Sequence, residues 1–234
     1  MQKEKDSLVL IGDIHGEFRR MNYDIHKRYG HVDSHIIQVG DAGLGFNKPN
    51  YYKTELGILN TSLEESNNML YMISGNHDDP FYFQESNHPF GYKNIKLLAN
   101  YSTLNILGKK ILLVGGAISI DRTDRVVGIS YWQDEKFCFL PDFPYEKDYD
   151  IVVTHSRPSE CGSFISQERL QYWFDKDSTL KNELRVEGEE LNKLYRATKP
   201  REWYYGHMHA SDFRQYENTT FRCLNINEHY MLPL

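Results

Sequence analysis

SLVLIGDIHG at residues 7–16 decides how this chain reads: a short apolar run breaks at Gly12, and Asp13 and His15 follow at once. Two later stretches repeat the arrangement, SHIIQVGD at 34–41 and MLYMISGNHD at 69–78. Runs that are apolar throughout, rather than at alternate positions, predict strands buried on both faces, as parallel sheets require. Between the first two runs, Phe18, Met21, Ile25 and Tyr29 recur at spacings of three and four and predict a helix with Gly30 as its C-cap. A second helix is predicted over 51–65. The order is β-α-β-α-β, which belongs to the α/β class.

Beyond Pro80 the pattern changes. STLNIL, KKILLVGGA, DIVVTH, EWYYGH and TFRCLNI read as further strands, enough for a second sheet packed on the first. The segment from Asp121 to Asp150 is rich in aromatics and proline without a clear period, and we expect it either to pack or to overhang a site. Leu180, Leu184, Leu191 and Leu194 predict a helix over 177–198 that Gly188 weakens but does not break.

The chain has 234 residues, 40% of them hydrophobic, which is enough for one sizeable core, so a single domain over 1–234 is expected. A formal charge of -6, with lysines and arginines scattered, argues against a protein that coats nucleic acid. No apolar run approaches the roughly 20 residues needed to span a bilayer. The first apolar segment is cut short at Gly12 and Asp13, unlike a signal peptide, so a cytoplasmic address with no membrane partner is expected. Cys138, Cys161 and Cys223 have no CxxC spacing and suit reduced thiols.

Five clusters each begin where an apolar strand ends: Gly12-Asp13-Ile14-His15-Gly16, Gly40-Asp41, Gly75-Asn76-His77-Asp78, His155, and Gly206-His207-Met208-His209. Ligands of open α/β sheets gather at the carboxyl ends of strands, and glycine lets backbone approach an ion closely. Taken singly, Asp13, Asp41 and Asn76 are ordinary turn or cap residues. Together, Asp, Asn and His without Cys form a mixed oxygen and nitrogen donor set, suited to manganese, iron, zinc or nickel. Strand alternation would put His207 and His209 on one face. Asp79 before Pro80 reads as a helix N-cap, and His26, His31, His35, His88 and His229 as surface or packing residues.

This ordered series resembles the calcineurin-like metallophosphoesterases, whose signature runs D-x-H, GD, GNH-D/E, H and GH-x-H. All five blocks are present, from Asp13 to His209. The resemblance implies a four-layer α-β-β-α sandwich, two packed mixed sheets flanked by helices. It implies two divalent transition-metal ions, manganese first among the choices. Asp13, His15 and His209 would hold one, Asn76, His155 and His207 the other, with Asp41 between them. His77, beside a ligand but unassigned, would be the general acid that protonates the leaving oxygen. Arg157, Arg122 and Arg125 are candidates to bind phosphate, against the reading that they are solvated surface residues. The GD-x-x-DRG continuation of the protein serine/threonine phosphatase branch is absent from Gly40 to Phe46, so protein phosphatase activity is not expected and the partner of His77 is unidentified.

The resulting expectation is a phosphoesterase that uses a metal-bridging hydroxide, acting first on phosphomonoesters. Phosphodiesters of nucleotides, dinucleotides or nucleic acid are the alternative, with nucleic acid entering as substrate alone. A non-catalytic interaction scaffold of the same fold is the rival from another class.

Overall fold

The computed structural model describes residues 4–84, 90–146, 148–162 and 167–233, and among them lie two mixed sheets. The first comprises β1 (Ser7–Ile11), β2 (Ser34–Gln38), β3 (Met69–Met72), β4 (Ile95–Leu97) and β11 (His229–Met231), in the order β11-β1-β2-β3-β4. Strands β1 to β4 are parallel, and β11 closes one edge antiparallel to β1. The second comprises β5 (Ser102–Ile106), β6 (Lys109–Val114), β7 (Ile151–Thr154), β8 (Glu202–Tyr205), β9 (Asp212–Tyr216) and β10 (Thr219–Cys223), in the order β5-β6-β7-β8-β10-β9. Its four inner strands are parallel, and β5 and β9 are antiparallel edges.

Period-two alternation sorts the apolar side chains into three layers of core. Leu8, Leu10, Ile37, Val39 and Ile73 of the first sheet meet Ile111, Leu113, Ile151, Val153 and Tyr204 of the second in a central layer. The opposite faces look outward. Val9, Ile11, Ile36, Leu70 and Met72 pack under helices α1 (Phe18–Tyr23) and α2 (Pro49–Glu65), which contribute Phe18, Met21, Tyr52, Leu56, Leu59 and Leu63. Leu112, Val114, Val152, Trp203, Tyr205 and Phe221 pack under α4 (Leu180–Thr198), through Leu191, Leu194 and Tyr195. Helix α3 (Gln167–Lys176) precedes α4. The result is the expected helix, sheet, sheet, helix order.

Local differences have local causes. The first helix is α-helical only to Tyr23 and continues as a five-residue π turn, Asp24–Arg28, with the buried Asp24 and Ile25 inside it. Gly30 follows with a φ of 64°, as a C-cap glycine does. Pro49 opens α2 two residues earlier than the apolar spacing suggested, because proline fits the first helical turn. Asp79 does cap the 3₁₀ turn Pro80–Phe83, its Oδ1 accepting from Phe81 N at 3.0 Å. Among the described residues the aromatic segment after Asp121 forms no strand, and Phe137 and Tyr149 bury against the second sheet. Gly188 lies buried in α4 where an added Cβ would come within 2.9 Å of the Ser159 side chain, so glycine permits that close packing. Among the described residues no helix is long and apolar enough to cross a membrane. His88 lies outside the described residues.

Candidate metal centre

Parallel strands in both sheets deliver their carboxyl ends to one edge, and all five clusters meet there. Asp13 and His15 follow β1, Asp41 follows β2, Asn76 and His77 follow β3, His155 follows β7, and His207 and His209 follow β8. Two donor groups form. Asp13, His15, Asp41 and His209 bring one ligand atom each to within 4.8 Å of one another, and Asp41, His155 and His207 do the same. Asp41 is common to both. Within the first group His209 Nε2 lies 3.3 Å from Asp13 Oδ2, and His15 Nε2 lies 3.9 Å from both Asp13 Oδ2 and Asp41 Oδ2. Within the second, His155 Nε2 lies 3.0 Å from Asp41 Oδ1 and 3.2 Å from Asn76 Oδ1, so Asn76 joins by its oxygen.

Buried charge on this scale needs compensation. Asp13, Asp41, Asn76 and His155 are essentially inaccessible to water. Burial would raise the Asp41 carboxyl, but His155 beside it, with His77 and His15, holds it well below the usual carboxylate range. Burial would lower His155, yet Asp41 and Asp13 raise it to about 10. Without a cation, a proton on His155 thus balances Asp41. His207, by contrast, is driven well below its ordinary value by burial and by the neighbouring histidines, and presents a neutral imidazole. Asp41 Oδ2 is buried and accepts no hydrogen bond among the described residues. An orphaned carboxylate oxygen facing imidazoles is what a cation would satisfy, so this donor set fits divalent transition ions. Ring orientation is also fixed: His155 Nδ1 lies 2.9 Å from Val39 O, leaving Nε2 toward Asp41.

Sequence comparison agrees with the site. A model of calcineurin-like phosphoesterases matches residues 7–211. The chain belongs to that family. No curated protein matches it in sequence. Among solved structures, TT1561 of Thermus thermophilus is 13% identical with a TM-score of 0.54, covering 94% of this chain and 89% of that one. The phosphopantetheinyl hydrolase of Mycobacterium tuberculosis is 13% identical with a TM-score of 0.49, covering 94% and 90%. At 13% identity the likeness to TT1561 speaks for the fold alone. The family binds two metal ions, and this chain brings together two groups of candidate ligands that share Asp41.

Strand alternation does not set the directions of His207 and His209. Strand β8 stops at Tyr205, and both histidines sit in the following loop with φ of 64° and 51°. They consequently serve different groups, His209 beside Asp13 and His207 beside His155. The arginines also part company. Arg125 enters the site, its Nη2 lying 2.6 Å from His77 Nε2 and its Nη1 bonding Ser119 Oγ at 3.0 Å, while Asp121 balances its charge at 2.6 Å. Arg157 lines a neighbouring cavity. Arg122 is a correction: its guanidinium donates to Asp177 at 2.6 Å, to both Glu183 oxygens at 2.8 Å and to Thr179 at 2.9 Å, tying the turn Arg122–Asp124 to the start of α4 and away from the centre.

His77 has the partner that its sequence neighbourhood could not reveal. Arg125 meets its Nε2, Phe46 stacks on its ring with centroids 5.7 Å apart, and its backbone N–H donates to Asp41 Oδ1 at 2.7 Å. Burial lowers His77 to about 4, with Arg125 and His15 adding to the fall and Asp41 opposing it. Two supports went unread in the sequence. Asp78 accepts backbone N–H groups from Gly75 at 2.8 Å, Ala42 at 3.1 Å and Leu44 at 2.9 Å, locking the second and third clusters together. Gln38 bonds Gly12 O at 3.3 Å and also Gly40 O, joining the ends of β1 and β2. The D in GNHD was the one signal for Asp78; a lone Gln gave none.

Proposed function

We propose that this phosphoesterase hydrolyses phosphomonoesters at the shared-carboxylate centre. The observation that carries the reading is Asp41, one buried carboxylate common to two donor groups. Asp13, His15 and His209 would hold one ion and Asn76, His155 and His207 the other, with Asp41 available to both. When bound, such ions supply an activated water and positive charge for phosphate oxygens. Manganese is the first choice of metal because carboxylate, amide and imidazole donors all suit it.

The remaining work falls to this chain's own groups. Arg125, 7% exposed and braced by Asp121, presents fixed positive charge beside His77. His77 is neutral near pH 7 by its surroundings, and an arriving phosphate anion favours its protonated form. It then gives that proton to the leaving oxygen. A phosphodiester is the second reading, favoured by space on two sides: the cavity beneath α4 on one, and on the other an open groove of about 190 Å³ lined by His15, Gly16, Gly43, Phe46, Asn47 and His77. A cytoplasmic address accords with the free Cys138, Cys161 and Cys223.

The test is single-turnover hydrolysis by manganese-loaded protein of an alkyl phosphate, nitrophenyl phosphate and bis-nitrophenyl phosphate. The monoester reading expects faster turnover of nitrophenyl phosphate than of its diester. His77→Ala should slow the alkyl ester far more than the nitrophenyl ester, since only the alkoxide needs a proton to leave. Equal losses on both monoesters, with metal retained, would remove His77 as the acid and leave it a phosphate-positioning group.

A further inference from the structure

One face of α3 roofs two adjoining cavities. Trp173 lines the first, which contains Asp41, Asn76, His77, Arg125, His207 and His209. Leu170, one helical turn earlier on the same face, lines the second with Leu184, Glu187 and Arg157. The two cavities have Ile120, His207 and Met208 in common, so the second adjoins the centre.

Resting on the phosphoesterase reading, we infer that the second cavity and the Trp173 roof form the subsite for the ester's organic group, and that this group carries a flat heteroaromatic ring, as in a nucleoside monophosphate. Size is the first argument. Each cavity has a volume of about 130 Å³, close to the roughly 150 Å³ of an engineered apolar cavity that admits benzene. Shape and polarity are the second. Ile120, Leu170, Leu184 and Met208 give the second cavity apolar walls, which suit the faces of a ring and not a sugar, whose hydroxyls need partners on every side. Polar groups line the same cavity, Ser156, Ser159 and His207 among them. Arg157 contributes donors, and Glu187 is 5% exposed with an Oε1 that has no hydrogen-bond partner among the described residues. A ring edge with both N–H donors and lone pairs matches that pair. Burial also raises the Glu187 carboxyl to about 8, against the pull of Phe137 and Ile118 backbone groups and of His155, so it can donate as well as accept.

The roof is held in place before any ligand arrives. Lys176 Nζ lies 5.0 Å from the Trp173 ring centre and 2.8 Å from Asp124. Arg122 binds Asp177 and Glu183, fixing the junction of α3 and α4. A fixed indole loses little freedom on stacking.

The experiment compares adenosine 5′-monophosphate with ribose 5-phosphate, which has the same phosphate and sugar but no base, on manganese-loaded protein. Hydrolysis and tryptophan fluorescence are read in parallel; Trp203 is fully buried and Trp132 is 8% exposed, so Trp173 is the indole best placed to respond. The nucleotide should show a KM at least about tenfold lower, the scale of base–aromatic stacking, and should quench fluorescence where ribose 5-phosphate does not. Trp173→Ala should erase both differences, and Trp173→Phe should restore most of the KM advantage. Glu187→Gln, which keeps shape, should weaken the nucleotide alone. Equal KM values for the two esters with no quenching overturn the inference and leave the hydrolase reading intact. Quenching by the nucleotide without hydrolysis of any ester supports the ring subsite and overturns the hydrolase reading instead.

Discussion

Four of the seven candidate ligands hold a left-handed backbone: His15 at φ 45°, Asp41 at 58°, His207 at 64° and His209 at 51°. Such conformations cost non-glycine residues of order 1–3 kcal/mol each and persist where surroundings over-determine them. Here the surroundings are other donors and the glycines between them. An added Cβ at Gly206 would stand 2.0 Å from Asp13 Oδ1 and 3.0 Å from Val39, and one at Gly75 would stand 2.1 Å from Asp41 Oδ1. Glycine at these two positions is what lets the chain lie against the carboxylates. Gly206→Ala should therefore displace Asp13 and the His207 N–H that donates to it at 3.0 Å, and lower manganese retention at least tenfold while the fold survives. Unchanged retention, measured by equilibrium dialysis with circular dichroism as the fold check, would show that Asp13 does not need that contact.

At the scale of elements, what could be read in advance depended on where the information lay. Donor and glycine adjoin in the chain at four of the five clusters, His155 being the exception, so most of the centre was legible from motifs; β1, β2, β3, β6 and β7 were legible as largely apolar runs. Short edge strands β4, β9 and β11 were not, since three to five half-exposed residues carry little pattern. Helix α3 was missed because its sequence, QERLQYWFDK, presents an apolar face only from Leu170 onward. The pairing of Arg125 with His77 spans 48 residues and depends on the turn after Asp121, which no local spacing encodes. Edge strand β11 also carries a prediction. His229 stacks on Tyr29 at 4.5 Å and meets His31 Nε2 at 3.2 Å, with Arg28 lying over Tyr29. Burial lowers His229 to about 3, helped by His31 and Arg28, and burial lowers His31 too. The unfolded chain therefore binds more protons than the folded one below about pH 6.5. Stability should be unaffected by this pair above that pH and fall as pH drops from 6.5 toward 3, with a slope from His229 approaching ~1.4 kcal/mol per pH unit, to which His31 adds in the same direction. In chelator-treated protein, His229→Phe should lose less Tm than the parent between pH 6.5 and 4; parallel Tm curves would show that the stacked pair does not sense protons.

At the scale of the molecule, two sheets are packed so that parallel strands from both end along one edge, and the donor groups come from each: Asp13, His15, Asp41 and Asn76 from the first, His155, His207 and His209 from the second. The centre therefore bridges the two sheets, and ions held there should stabilise the folded chain by binding it alone. Asp41 is the one carboxylate both groups need. The measurement that tests this most directly is elemental analysis of protein loaded with manganese and passed through a desalting column, for the parent and for Asp41→Ala, Asp13→Ala and Asn76→Ala. The account predicts about two ions per chain in the parent with a raised Tm, close to none in Asp41→Ala, and about one in each of the other two. A parent that retains no metal, or an Asp41→Ala variant that retains as much as the parent, would contradict it.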